Sequence, residues 1–289
     1  QNRVAATACR PSPLPLPMTH YDLQGTSVPA LGFGTYKLTG DAARDGVAEA
    51  LALGYRHIDT AQVYENEAEV GAGLAASGVP RGDVFLTTKV WRDRLAAGRL
   101  APSVDESLRA LGTDYVDLLL VHWPTDAVPL AETLGALDAV RQAGKARLIG
   151  VSNYPAGLLR EALAVVPDLA NVQVEHHTHL GQPRLLSLVR ERGMTLTAYS
   201  PLGRGHAFGD PTLRAIADAH GASVAQIALA YLLGQDRVLA IPKASSSAHR
   251  RSNLAAAEIA LSADERARID ALPKTDRLVD PDFAPDWDA

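Results

Sequence analysis

Short apolar runs alternate with longer runs rich in Ala, Leu and Arg along almost the whole chain, and this alternation restricts the fold more than any other feature. Strand-like runs fall at residues 31–35, 55–61, 84–90, 116–123, 147–152, 172–176, 195–200 and 238–242. Helical patterns fill the intervals at 41–53, 67–77, 102–111, 130–143, 156–165, 183–192 and 211–219. A further one, 223–233, precedes the eighth strand, and 248–256 and 263–272 follow it. Several strands are apolar on consecutive positions, most clearly at Leu118, Leu119, Leu120 and Val121. A strand of that kind is buried on both faces, as in a parallel sheet covered by helices. Eight such units in about 250 residues predict a single-domain (β/α)8 barrel. A doubly wound sheet would want a three-glycine fingerprint at its first helix. Gly32-Phe33-Gly34 comes nearest and lacks the third glycine.

The barrel is expected to occupy residues 18–289. Residues 1–17 are read as a disordered leader or expression remnant, because Pro11, Pro13, Pro15 and Pro17 alternate in a stretch with no apolar core. A secretory signal would need a continuous apolar stretch. The net charge of −5 disfavours a nucleic-acid partner, which would call for a basic stripe. No apolar run approaches the roughly 20 residues of a membrane span. Cys9 is the only cysteine, which excludes an intramolecular disulfide and a thiolate metal cluster and fits a reducing, cytoplasmic setting.

In a barrel of this type, function sits at the carboxyl ends of the strands. Those ends carry Thr35 and Tyr36, Asp59, Lys89, His122, Ser152 and Asn153, Gln173 and Glu175, Tyr199 and Ser200, and Lys243. Lys89 sits inside an apolar run, and a buried ammonium needs an anionic partner. Asp59 is the natural one, and by itself such a pair is more often structural. Tyr64, just past Asp59, shifts the balance toward chemistry. A phenol beside an ammonium is expected to have its pKa lowered, because the cation favours the phenolate. With His122 to orient a substrate oxygen, such a set suits proton delivery to a carbonyl undergoing reduction. No side chain donates hydride, so this chemistry requires a nicotinamide cofactor.

The segments GYRHIDTA at 54–61 with Tyr64-Glu65-Asn66-Glu67, Thr88-Lys89-Val90-Trp91, His122-Trp123-Pro124, GVSN at 150–153, YSPLG at 199–203 and Ile241-Pro242-Lys243 resemble the aldo-keto reductase family. The resemblance runs in order over about residues 19–288. It is strongest to the bacterial branch of 2,5-diketo-D-gluconate and methylglyoxal reductases, the tail DRLVDPDFAPDWD at 276–288 included. It implies Tyr64 as general acid, Lys89 and Asp59 as residues that tune it, and His122 as the orienting group. It implies that Thr35, Ser152, Asn153 and Gln173 lie at the cofactor, the last three holding the nicotinamide carboxamide. Tyr199 would stack on the ring, and Ser200, Leu202 and Gly203 would lie along the pyrophosphate. Lys243, His249, Arg250 and Asn253 would meet the adenosine phosphate of NADPH, with NADH as a secondary cofactor. Tyr36, Trp91 and Trp123 would line the pocket for a small carbonyl substrate, and the protein would be a monomer.

Two positions depart from the family pattern. Many relatives have Ser or Thr directly after the lysine and Arg six positions after it; here these are Ala244 and His249, so Arg250 or Arg251 would supply the fork for a 2′-phosphate. Relatives often have Pro where this chain has Thr178. The short segment between Pro124 and Leu130 and the brief tail after Leu272 suggest an open pocket that accepts many substrates.

Plainer readings stand beside these. His177 and His179 share a strand face, yet no third ligand is evident, so no metal is expected. Tyr36, Trp91 and Trp123 would serve equally as core aromatics. Ser245-Ser246-Ser247 would serve as a helix start, and Glu65 and Glu67 would cap or solvate the next helix. A barrel glycosidase would need two carboxylates about 5–10 Å apart across a cleft, and Lys89 would hold Asp59 ionised. A non-catalytic nicotinamide sensor on the same fold is the other alternative.

Overall fold

Gln24 and Gly25 both take left-handed backbone angles, with φ 54° and 80°. Two successive positive φ values build a two-residue hairpin turn. β1 (His20–Leu23) and β2 (Thr26–Pro29) pair antiparallel around it. The sequence-based strand assignment omits this hairpin, although a Gln-Gly pair between two short runs signals it. The computed structural model describes residues 18–287, so the reading of residues 1–17 as a leader lies outside the described residues.

The main sheet follows: β3 (Phe33–Gly34), β4 (His57–Asp59), β5 (Phe85–Val90), β6 (Val116–Val121), β7 (Ala146–Ser152), β8 (Asn171–Glu175), β9 (Thr195–Tyr199) and β10 (Val238–Ala240). Neighbours along the chain are neighbours in the sheet, and every pair is parallel. Backbone contacts between the first and last strands close it. Gly32 N donates to Ala240 O (2.8 Å), Ala240 N to Ala30 O (2.8 Å) and Gly34 N to Pro242 O (3.2 Å). Gly34 is required at this seam, because a Cβ there would lie 2.6 Å from Ile241 O. The result is the (β/α)8 barrel that the alternation predicts.

Helices α1 (Gly40–Leu53), α2 (Glu67–Ser77), α3 (Ala97–Leu111), α4 (Leu130–Gln142), α5 (Ala156–Val165) and α6 (Pro183–Glu191) alternate with the strands. α7 (Pro211–His220) and α8 (Val224–Leu233) both precede β10, and α9 (Ser247–Ala255) and α10 (Ala263–Asp270) follow it. Among the helix starts, one differs from expectation by more than a single residue. The pattern predicts a helix start at Pro102, yet α3 begins at Ala97 and carries Pro102 inside it. The preceding turn is already secured by Leu100 N donating to Ala96 O at 2.9 Å, so the helix loses one bond and continues.

Two cores explain the consecutively apolar strands. Leu118 and Leu120 point into the barrel with Phe85, Leu148 and Leu239, and Leu23 and Val28 of the hairpin join that cluster. Leu119 and Val121 face the surrounding helices. Each fully buried Leu contributes about 1.5–3 kcal/mol, and that figure is an upper value because unfolded chains bury some surface too. The hairpin and interior leucines leave the opposite, carboxyl end for polar groups. Among the described residues, no single helix is long and apolar enough to cross a membrane.

Candidate active site

Sheet register brings the four polar residues together. Asp59 ends β4 opposite Thr87 of β5, and Lys89 lies two residues beyond Thr87 on the same face. His122 directly follows β6, its N–H bonded to Val90 O at 3.0 Å. Tyr64 arrives from a single 3-10 turn at Gln62–Tyr64, which ends where Glu65 turns left-handed with φ 54°. Lys89 Nζ donates to Asp59 Oδ1 at 2.5 Å, to Thr60 O at 2.8 Å and to Tyr64 Oη at 3.3 Å. Gln173 Nε2 donates to the other Asp59 oxygen at 2.8 Å. The Tyr64 ring packs edge-on against His122, centroids 5.7 Å apart. Asn66 braces the adjoining loop by accepting from Thr60 Oγ1 and donating to Thr35 O and Leu38 O.

The electrostatics correct one expectation. Lys89 does not lower the Tyr64 pKa on balance. Burial of the phenol raises it well above its ordinary value, and the charge of Asp59 and the neighbouring Tyr36 add to the rise. Lys89 is itself lowered by burial against the opposing pull of Asp59. Burial, then the Lys89 charge, push His122 well below the usual imidazole range, so the ring is neutral at pH 7. His122 Nδ1 is buried with no partner among the described residues. An unpaired buried acceptor is better tolerated than an unpaired N–H, which puts the ring proton on Nε2. Glu67 also departs from its expected solvated role. It accepts from Thr88 Oγ1 at 2.5 Å, and burial raises its pKa.

His57 and His176 are likewise lowered by burial. All three imidazoles are neutral in both states above the ordinary value of about 6.5. Below it the unfolded chain takes up protons that the folded chain refuses, so stability falls as pH falls through that value. Each histidine contributes a slope of at most about 1.4 kcal/mol per pH unit, approached only well below that value. Urea midpoints measured from pH 7.5 to 5.5 should therefore drop, and His122→Gln should make that drop shallower.

The remaining strand ends form a second group beside the first. Thr35 is buried, its hydroxyl bonded to Asp59 O at 3.1 Å. Asn153, left-handed at φ 62°, donates from Nδ2 to His122 O at 2.9 Å and to Ser152 Oγ at 3.1 Å. The Tyr199 hydroxyl donates to Asn153 Oδ1 at 2.7 Å and so fixes its ring over the strand ends. Ser200 (φ 46°) and Gly203 (φ 53°) begin the loop after β9, and Leu202 is half-buried there. Lys243 is exposed and donates to Ser245 Oγ at 3.0 Å, beside the α9 start where Ser246 caps the helix. His249 and Arg251 are exposed and Asn253 is buried. Arg250 does not present the fork proposed for it. Its guanidinium is buried, pairing with Glu49 and donating to Ala244 O at 3.0 Å. The exposed cations of this corner are Lys243 and Arg251. A dinucleotide suits a set of amide, hydroxyl, aromatic and cationic groups of this kind.

Each histidine of the 176–179 segment is engaged within the protein. His176 meets Leu180 O and Gln235, His177 meets Glu175, and His179 meets Asp210. Thr178 O accepts from Lys274 at 2.5 Å.

The aromatic residues expected in the pocket pack against the polar group and against tail residues that the sequence reading missed. Tyr36 is exposed and lies 5.0 Å from the Tyr64 ring, and Trp91 lies 5.1 Å from the His122 ring. Phe283 packs against both Trp91 (6.0 Å) and Trp123 (5.5 Å), and Trp287 packs against Trp123 (6.1 Å). Arg92 lies over the Phe283 ring at 4.3 Å. The brief tail therefore covers part of these two tryptophans. Two aromatic residues four apart in a polar, proline-rich tail were the signal.

The family model for the aldo/keto reductase family matches residues 30–274. The chain belongs to the aldo/keto reductase family. It is an oxidoreductase of that family, and its relatives agree with the branch that the motifs suggest. It is 40% identical over 267 residues to methylglyoxal reductase DkgB of Escherichia coli O157:H7, covering 91% of this chain and 100% of that one. The solved structure of a candidate 2,5-diketo-D-gluconic acid reductase B superposes with a TM-score of 0.92 at 45% identity, over 94% of this chain and 98% of that one. A Bombyx mori aldo-keto reductase, solved in complex with NADP, gives a TM-score of 0.85 at 34% identity, over 91% of this chain and 95% of that one.

Proposed function

We propose that this aldo-keto reductase is an NADPH-dependent reductase of small aldehydes, α-dicarbonyls and keto sugars, with Tyr64 as its general acid. The observation that carries this reading is the buried Lys89 ammonium, held at once by Asp59 and by the Tyr64 hydroxyl beside a neutral His122. When bound, a reduced nicotinamide supplies hydride to the carbonyl carbon. The substrate oxygen sits between the Tyr64 hydroxyl and His122 Nε2, which stabilise the charge that gathers on it. Tyr64 then gives its proton to that oxygen. The raised phenol pKa keeps this acid loaded at neutral pH, and Lys89 beside it stabilises the phenolate left behind.

Ser152, Asn153 and Gln173 would hold the carboxamide, Tyr199 would stack on the ring, and Lys243 with Arg251 would meet the 2′-phosphate. Methylglyoxal is the first substrate to try, because a 40% identical relative is a methylglyoxal reductase. Its reduction should consume NADPH much faster than NADH, followed at the reduced-nicotinamide absorbance. Equal rates would remove the 2′-phosphate assignment, and no consumption of either would overturn the reductase reading. Lys243→Met should weaken NADPH binding about tenfold or more, as loss of a charge-assisted hydrogen bond does, and leave NADH binding unchanged in a fluorescence titration.

A further inference from the structure

Glu175 carries a carboxylate with no solvent exposure at the carboxyl end of β8, opposite Tyr199 in the sheet. The proton-delivery group does not touch it. Its partners come mostly from the tail. Leu278 N donates to both carboxylate oxygens, at 3.0 and 3.1 Å, and Val279 N donates to Oε2 at 3.0 Å. His177 Nε2 lies 3.3 Å from Oε1. A carboxylate removed from water needs such donors, and two backbone amides meeting one carboxylate fix the tail at that point.

The tail leaves the barrel at Lys274, whose Nζ donates to Thr178 O and Ile269 O. Asp276 N then bonds His179 O at 3.0 Å. Beyond the carboxylate the chain turns back over the barrel mouth, and Phe283 and Trp287 reach Trp91 and Trp123. Trp287 is held in turn by its Nε1 donating to Asp280 Oδ1 at 2.8 Å and by Arg277 stacked on its ring at 3.7 Å.

We propose that Glu175 is a positioning residue for substrate selection, anchoring the tail so that Phe283 and Trp287 form the outer wall of the pocket. The proposal rests on the reductase reading for the identity of that pocket. Without the carboxylate, two amides lose their acceptor and the segment carrying both rings loses its fixed point. A three-carbon dicarbonyl at Tyr64 is too short to use the wall, whereas an aromatic aldehyde leans on it. Glutamine at this position keeps one acceptor oxygen but turns an NH2 toward the other amide, so its effect is intermediate.

The test compares methylglyoxal with 4-nitrobenzaldehyde in the wild type, Glu175→Gln, Glu175→Ala, the pair Phe283→Ala with Trp287→Ala, and the combination of that pair with Glu175→Ala. Removing Glu175 should raise KM for the aromatic aldehyde about tenfold, the scale of lost aromatic contacts, with kcat and the methylglyoxal KM held. The tail pair should give the same selective loss, and adding Glu175→Ala to it should change nothing further. KM rising equally for both aldehydes, or losses that multiply in the combination, would overturn the proposal. If Glu175→Ala does not fold, Glu175→Gln carries the comparison. Should the wild type reduce neither aldehyde, the reductase reading fails by itself. The anchor is then read from trypsin cleavage after Lys274 and Arg277, which Glu175→Gln should accelerate; unchanged cleavage would refute the anchor.

Discussion

Replacing Tyr64 with Phe is expected to lower turnover about 10²–10⁴-fold, the contribution of a positioned general acid. Binding of NADPH, followed by fluorescence, should be unchanged. The substitution removes one oxygen and keeps the ring, so the contacts with Tyr36 and His122 remain. Lys89 retains Asp59 and Thr60 O as its closer partners, and the fold should tolerate the change. His122 cannot replace the phenol as acid. Burial and the Lys89 charge keep the imidazole neutral at pH 7, so it orients the substrate oxygen and carries no proton to spare. A chain that only senses nicotinamide would lose nothing measurable on Tyr64→Phe. A wild-type level of turnover in the variant would remove Tyr64 from the mechanism altogether.

Much of this architecture was legible in the sequence because the barrel imposes a strong pattern. A strand covered on both sides has to be apolar on consecutive residues, and Leu118 to Val121 announce that directly. The same rule made Lys89 conspicuous, since a lysine in such a run has to find an anion. What local pattern could not supply was the balance of opposing electrostatic effects. Proximity of Lys89 to Tyr64 was readable, but the desolvation that outweighs it depends on how tightly the folded protein surrounds the phenol. Arg250 illustrates the same limit. Its type suited a phosphate, and only the packing of α1 against α9 turns it toward Glu49. The tail was opaque for another reason: it has no periodicity, and one of its partners, Glu175, lies about a hundred residues earlier in the chain.

Breaking the buried ion pair should separate what it does for the fold from what it does for the chemistry. Lys89 and Asp59 have side-chain exposures of 0% and 2%, so neither charge has water to fall back on. Lys89→Met leaves Asp59 with Gln173 as its side-chain donor. Removing one partner of a buried pair destabilises by about 3–5 kcal/mol, because the other charge stays buried and uncompensated. In a chain of this size that amounts to a loss on the order of 10 °C in Tm. Asp59→Asn should be milder, since Lys89 keeps Thr60 O and Tyr64 as acceptors. The decisive variant is the double one, Lys89→Met with Asp59→Asn. It removes both charges, and the desolvation that opposed them disappears with them, so its Tm should recover most of the loss seen in Lys89→Met. Its turnover should not recover, because nothing then stabilises the phenolate that forms when Tyr64 gives up its proton. Recovery of both would make the pair purely structural. Recovery of neither would mean that the ammonium organises the loop around Thr60 and Tyr64 in a way that a neutral side chain cannot reproduce.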